Sequence, residues 1–286
     1  MLTDVPLPLV GVSITMRALA ARAEELRRDV TRPVLVGGAR GLGKQFLAQR
    51  IHAGSSLAAQ PLRVFDARRE PVGELRRHLD EAAAGMSLLI RHIDRLPMPA
   101  QSMLDQRSGE QGGVARLLAT TTGDVVARVT AGDFLESLYY RLHAWPMLVP
   151  ALADREPADL LALASAVLIQ TADADADLPT TFDASATELL VAHNWPDNLR
   201  ELEATLALAQ LRARAREAIG APHLSLRVGD DTAPTPEMSL ADVERWHMLR
   251  AVTAHGGNRT HAARSLGISR MTLIGKLKLF GDDVVS

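Results

Sequence analysis

The chain has 286 residues, of which 47% are hydrophobic and 23% charged, with a net charge of −2 and no cysteine. That length suits two or three small domains with a sizeable core, and the missing cysteines exclude disulfides, thiolate metal sites and cysteine nucleophiles, as suits a reducing cytoplasm. MLTDVPLPLVG lacks the basic start and apolar run of a secretory leader, and the longest apolar run, Leu160 to Ile169, is too short for a bilayer, so a cytoplasmic chain without membrane contact is expected.

Met16 to Arg28 is rich in alanine and arginine and reads as a helix. A short β-branched run, Pro33 to Val36, leads into GARGLGKQ, and Phe46 to Ile51 continues with helical spacing. Strand, glycine loop and helix follow in the order of a phosphate-binding loop. Gly38, Gly41 and Gly43 let successive N–H groups turn inward, where a phosphate would meet the positive end of the next helix. Lys44 would reach the outer phosphates, and Leu42 and Gln45 complete the candidate nucleotide-binding loop. The full motif asks for Ser or Thr after the lysine, to hold magnesium, and here it is Gln45. The loop by itself also suits a plain glycine-rich strand–helix turn.

Apolar runs at Leu88–Ile93 and Arg116–Thr121 read as buried strands with helical segments between them. The alternation predicts an α/β fold, a mostly parallel sheet with helices on its faces. In a phosphate-loop ATPase such a later strand ends in Asp, often followed by a second acid. The first holds magnesium and the second orients the attacking water. Here Leu88-Leu89-Ile90 is followed by Arg91 and His92. A cation at that seat repels the metal, so no metal is expected and hydrolysis reads as lost or very weak.

After Pro150 the pattern turns helical, over Ala158–Thr171, Ser185–His193 and Asn198–Ala218. Asp173, Asp175 and Asp177 imitate the start of a calcium loop. The turn glycine is missing and Ala184 stands where a bidentate Glu is needed, so a solvated acidic loop is the reading. Residues 223–238, rich in Pro, Gly, Asp and Thr, read as a linker. No His-Glu-x-x-His pair or Gly-x-Ser-x-Gly elbow occurs.

From Ser239 to Gly281 there are seven basic residues against two acidic ones, a basic module on an acidic body. This charge suits a polyanion partner, or equally a solvated helical face. Ser239 and Asp242 form a capping box, and Leu240, Val243, Met248, Leu249 and Val252 give the first helix an apolar face. Gly256-Gly257 ends that helix, and Asn258 caps a short second one, Arg259 to Leu266. Gly267 makes the turn, and Ser269 caps a third helix with Leu273 and Leu277 facing inward. Two short helices across a glycine turn form a helix-turn-helix pattern. Arg270, Met271 and Thr272 would face the major groove, with Arg270 the candidate base contact. Lys276, Lys278, Asn258, Arg259 and Thr260 would hold phosphates. A helical cap without a DNA role is the plainer alternative.

Together these segments resemble the AAA+ transcription activators that remodel sigma-54 RNA polymerase, the NtrC-like group. GARGLGKQ is similar to their GESGTGKE, LLIRHIDRLPMPAQ to LFLDEIGELPLxxQ, and RLLATTTGDV to RIIAATNRDL. FLESLYYRLHAWPMLVPALADRE resembles FREDLYYRLNVxPxxLPPLRERxED, and WPDNLREL is nearly WPGNVREL. GGNRTHAARSLGISRMTLIGKLKLFG resembles their Fis-type helix-turn-helix. The resemblance runs from about Leu9 to Gly281. It implies an AAA+ α/β domain (1–153), a helical lid (154–222), a linker (223–238) and an all-α Fis-type DNA-binding domain (239–286).

Several departures stand against that pattern. Arg91 and His92 replace the paired acids, and Thr122 replaces a sensor Asn. Of two arginines that members offer to a neighbour's nucleotide, Leu135 replaces the first and Arg141 keeps the second; Arg200 keeps the sensor place in the lid. Only 19 residues separate Phe65 from Gly85, and none of them reads GAFTGA, the loop that touches sigma-54 in the family. No receiver domain is expected before residue 9. The resemblance thus implies a transcription regulator independent of sigma-54 that binds ATP or ADP as a ligand. Its partners would be an operator duplex and further copies of itself, as a dimer through the DNA-binding domain or a higher ring; RNA polymerase or a paralogous activator is a further candidate. The alternatives are an active ATPase with a rearranged metal site that recruits Asp94, or an inhibitory partner subunit of an intact sigma-54 activator.

Overall fold

Among the described residues, α-helices and strands alternate through the first part of the chain: α1 (Ile14–Arg28), β1 (Val34–Gly37), α2 (Lys44–Ala53), β2 (Leu62–Asp66), α3 (Val72–Asp80), β3 (Ser87–Arg91), α4 (Met98–Gly109) and β4 (Arg116–Thr121). Then come α5 (Val125–Thr130), α6 (Glu136–His143) and β5 (Pro146–Leu148). The computed structural model describes residues 5–81, 86–109, 116–172, 177–226, 239–255 and 258–279, apart from the side chains of Arg250, Thr253, Ala254, Lys278 and Leu279. The sheet is wholly parallel, in the order β2-β3-β4-β1-β5.

The two-residue period of a strand builds a core on each face. Val34, Val36, Leu89 and Leu118 face α1 and α2, while Leu35, Leu88, Ile90, Leu117 and Ala119 face α3, α4 and α6. With both faces covered, β1, β3 and β4 are near-continuous apolar runs, which is why they were legible. The edge strands β2 and β5 were not singled out. LRVFD alternates charged and apolar residues, and PML is only three residues long. Arg116 opens β4 fully buried and donates to the carbonyls of Leu26 and Asp29 at the end of α1, a cation on a helix C-terminus. Burial pushes its pKa down to about 10.

The helices α7 (Pro157–Ala172), α8 (Ala184–Ala192) and α9 (Asn198–Arg212) share a core built around Leu163, Leu168, Leu190, Leu202, Leu206 and Trp195. The α9 helix stops at Arg212, short of the expected Ala218, because the chain leaves helical geometry at Ala213 and turns left-handed at Ala215, φ 61°. The α7 helix is tied to the chain before α1. Asp159 accepts from the N–H groups of Val12 and Ser13 at 2.5 and 2.7 Å, and Arg155 donates to the Pro8 and Val10 carbonyls at 2.8 and 3.3 Å. Asp173 and Asp175 lie outside the described residues, as do most of the expected linker and Gly256-Gly257.

The chain divides into two compact units, through Leu226 and from Arg227. The second unit contains α10 (Leu240–Ala254), α11 (Arg259–Ser265) and α12 (Arg270–Leu279), packed around Met248, Ala262, Ala263, Leu273 and Leu277. Small alanines let α11 approach closely. Leu240 departs from the expected apolar face of α10: it sits on the first turn, beyond that small core, and is 85% exposed.

Candidate functional site

Parallel strands deliver their following loops to one edge of the sheet, where α/β proteins form ligand crevices. A cleft of about 630 Å³ lies there, lined by Arg40 to Gln45, Asp66, Arg68, Arg69, Arg91, His92, Thr120, Thr122 and Arg200. The glycine loop forms one wall, with Gly41 and Gly43 at φ +82° and +69°. Lys44 begins α2 and folds its ammonium back onto the Gly38 and Ala39 carbonyls at 2.8 and 2.6 Å. Burial pushes its pKa down to about 8, against the attraction of Asp94.

The opposite wall is the end of β3. The β2–β3 register sets Asp66 against Arg91, and the Arg91 guanidinium meets the buried Asp66 carboxylate at 3.0 Å. Asp66 also accepts from the Arg68 N–H at 3.0 Å and lies 3.9 Å from the Arg69 guanidinium. His92 is left-handed, φ 55°, and its N–H donates to the Thr120 hydroxyl at 3.3 Å. Burial lowers its pKa, so the ring is mainly neutral near pH 7. Asp94 does not line the cleft. Its carboxylate accepts from the Thr121 hydroxyl at 2.9 Å and lies 3.4 Å from Arg95.

The lid closes the cleft through the WPDN turn. Trp195 is buried and donates to the Leu190 carbonyl at 3.0 Å, and both Trp195 and Asn198 are left-handed, φ 50° and 53°. This places the Asn198 amide 2.9 Å from the Arg40 carbonyl and the Arg200 N–H 3.2 Å from the Gly41 carbonyl. A smaller recess of about 390 Å³ adjoins the loop, lined by Leu7, Phe46, Leu199, Gln170, Arg200 and Glu203.

The cleft therefore brings together Gly41, Leu42, Gly43, Lys44, Gln45, Arg91, His92 and Arg200 from the sequence reading. Gly38 receives Lys44 through its carbonyl. Arg141 does not line the cleft; it pairs with Asp105 at 3.0 Å on α4. The sequence reading missed Arg40, Asp66, Arg68, Arg69 and Asn198. Only the charged run DARR, which starts at the last residue of β2, hinted at some of them.

In the second unit, the Asn258 side chain accepts from the N–H groups of Thr260 and His261, as a cap should. Ser269 accepts from the Thr272 N–H at 3.0 Å and shares a hydrogen bond with its hydroxyl. Gly267, φ +69°, makes the turn between α11 and α12. Arg270, Met271 and Thr272 are exposed at the start of α12. Arg259 is half-buried at the start of α11. Lys276 pairs with Glu244 of α10, so part of its charge is already compensated within the domain. The Lys278 side chain lies outside the described residues. Among the described residues no helix is long and apolar enough to cross a membrane.

Three family profiles match in series: the sigma-54 interaction domain over residues 10–152, the AAA+ ATPase lid domain over 155–239, and the bacterial regulatory protein, Fis family, over 239–280. The chain is 33% identical over 277 residues to the transcriptional regulatory protein ZraR of Escherichia coli K12, covering 85% of this chain and 62% of that protein. To ZraR of Klebsiella oxytoca it is 32% identical over 305 residues, covering 94% and 68%. Among solved structures, NtrX from Brucella abortus in complex with ATP superposes with a TM-score of 0.65 at 26% identity, over 98% of this chain and 71% of that one. The chain belongs to the AAA+ transcription regulators that carry a sigma-54 interaction domain, an AAA+ lid and a Fis-type helix-turn-helix.

Proposed function

We propose that this chain is a DNA-binding transcription regulator whose AAA+ body binds nucleotide as a ligand and does not hydrolyse it. The observation that carries this reading is the Arg91–Asp66 ion pair at the end of β3. The acid that should coordinate metal is a guanidinium, and the nearest carboxylate is already neutralised by it. His92 could act as a base, but with a guanidinium in place of the metal-binding acid there is little for a base to complete. Asp94 speaks against a rearranged metal site, because it is 2% exposed and bound to Thr121. Lys44, Arg200 and the turned glycine loop support binding of ATP or ADP, and the apolar walls of the adjoining recess suit a purine face. The ATP complex of NtrX is a precedent in a relative.

The second unit supports recognition of a two-fold operator by a dimer, with half-sites about one helical turn apart. Arg270 reads a base, and the Arg259 and Thr260 side chains hold phosphates. The short β2–β3 connection, in which no GAFTGA sequence occurs, supports action independent of sigma-54. A phosphate-release assay with and without magnesium tests the catalytic claim, with no metal-dependent turnover expected. Turnover of about one per second, abolished by Lys44→Ala, would refute it. Genome-wide mapping of the bound protein tests the DNA claim: Arg270→Ala should erase sequence-specific peaks, at a cost of about 1–3 kcal/mol in base discrimination.

A further inference from the structure

We infer that the guanidiniums of Arg91, Arg68 and Arg69 do the work of a divalent cation, so that the cleft takes a metal-free nucleoside polyphosphate. This rests on the nucleotide-binding reading above and adds the charge state of the ligand. The family's chemistry implies magnesium, and the donor set here does not suit it. Among the residues that line the cleft, six are arginine or lysine and Asp66 is the single acid. Asp66 accepts from the backbone N–H of Arg68, pairs with the Arg91 guanidinium at 3.0 Å and lies 3.9 Å from that of Arg69, so its charge is already engaged by the arginines and chiefly positions Arg91. Gln45 offers an amide where a hydroxyl would bind the ion. A doubly charged ion beside the Arg91 guanidinium would be repelled by it.

The same arrangement fits a bare polyphosphate. A free triphosphate carries about twice the negative charge of its magnesium complex. Guanidiniums bind phosphate oxygens in bidentate pairs, and an arginine prepositioned by a buried carboxylate loses little freedom when it does so. Lys44 and the loop N–H groups hold one side of the phosphate chain, and Arg68 and Arg69 after β2, with Arg91 at the end of β3, stand on the other.

The test is calorimetric titration of the full chain with ATP, once in EDTA and once with excess magnesium. Metal-free ATP should bind about tenfold more tightly than its magnesium complex. Arg68 and Arg69 are exposed, so Arg68→Ala/Arg69→Ala should fold normally and weaken metal-free binding by about tenfold while leaving the magnesium complex nearly unchanged. Binding that vanishes in EDTA and returns with magnesium overturns this inference and leaves the nucleotide reading standing. An unchanged EDTA affinity in the double variant also overturns it. No binding under either condition overturns both.

Discussion

The lid and the phosphate loop meet at Gly41, and Gly41→Ala tests that contact. A Cβ on Gly41 would lie 2.0 Å from the Asp197 carbonyl oxygen and 2.8 Å from its carbon, both backbone atoms. The φ of +82° adds a left-handed penalty of about 1–2 kcal/mol for alanine. Relief of the clash requires the WPDN turn to withdraw, which breaks Arg200 N–H to Gly41 and Asn198 to Arg40, about 1 kcal/mol each. The sum is about 3–4 kcal/mol, or about 10 °C in Tm for a unit of this size. Differential scanning fluorimetry reads the shift, with Gly73→Ala as control because its Cβ meets nothing within 4 Å. The variant should also lose nucleotide affinity, since Arg200 moves away from the loop. A Tm within about 2 °C of the parent chain would refute the reasoning and place the lid elsewhere in solution.

Gly275 lies inside α12 with open space where a Cβ would go, so Gly275→Ala should stabilise the helix-turn-helix unit by about 0.5–1 kcal/mol and tighten operator binding in a fluorescence-anisotropy titration. Nucleotide affinity should fall as pH rises above about 8, because burial brings the Lys44 pKa down to about 8 and a bound phosphate favours its charged form. In the unliganded chain the sign reverses. Folding lowers this pKa from 10.5, so the unfolded chain holds more protons between pH 8 and 10.5, and the cost of burying Lys44 declines as pH rises through that window. Equilibrium denaturation across those pH values checks the second sign, and calorimetry the first. Trp195→Ala should cost about 3–5 kcal/mol in thermal stability, by removing the centre of the lid core and freeing the WPDN turn.

The amino-acid sequence by itself determined what depends on neighbours along the chain. The glycine loop before α2, the apolar strands β1, β3 and β4, the caps at Asn258 and Ser269, and the charge reversal at Arg91 are all local signals. Hydrogen-bond geometry and side-chain period act over a few residues, so they can be read without a fold. The chain's order of segments carried the family as well. Only the tertiary structure decided the partner of Arg91: Asp66 lies on a different strand, and a parallel register, not sequence distance, sets them opposite each other. It also decided that Asn198 and Asp197 rest on the phosphate loop, 158 residues from Arg40, through two left-handed residues that no helical pattern announces. Charges and backbone carbonyls act through space over a few ångströms, and which of them come within that range is settled by how the sheet and lid pack.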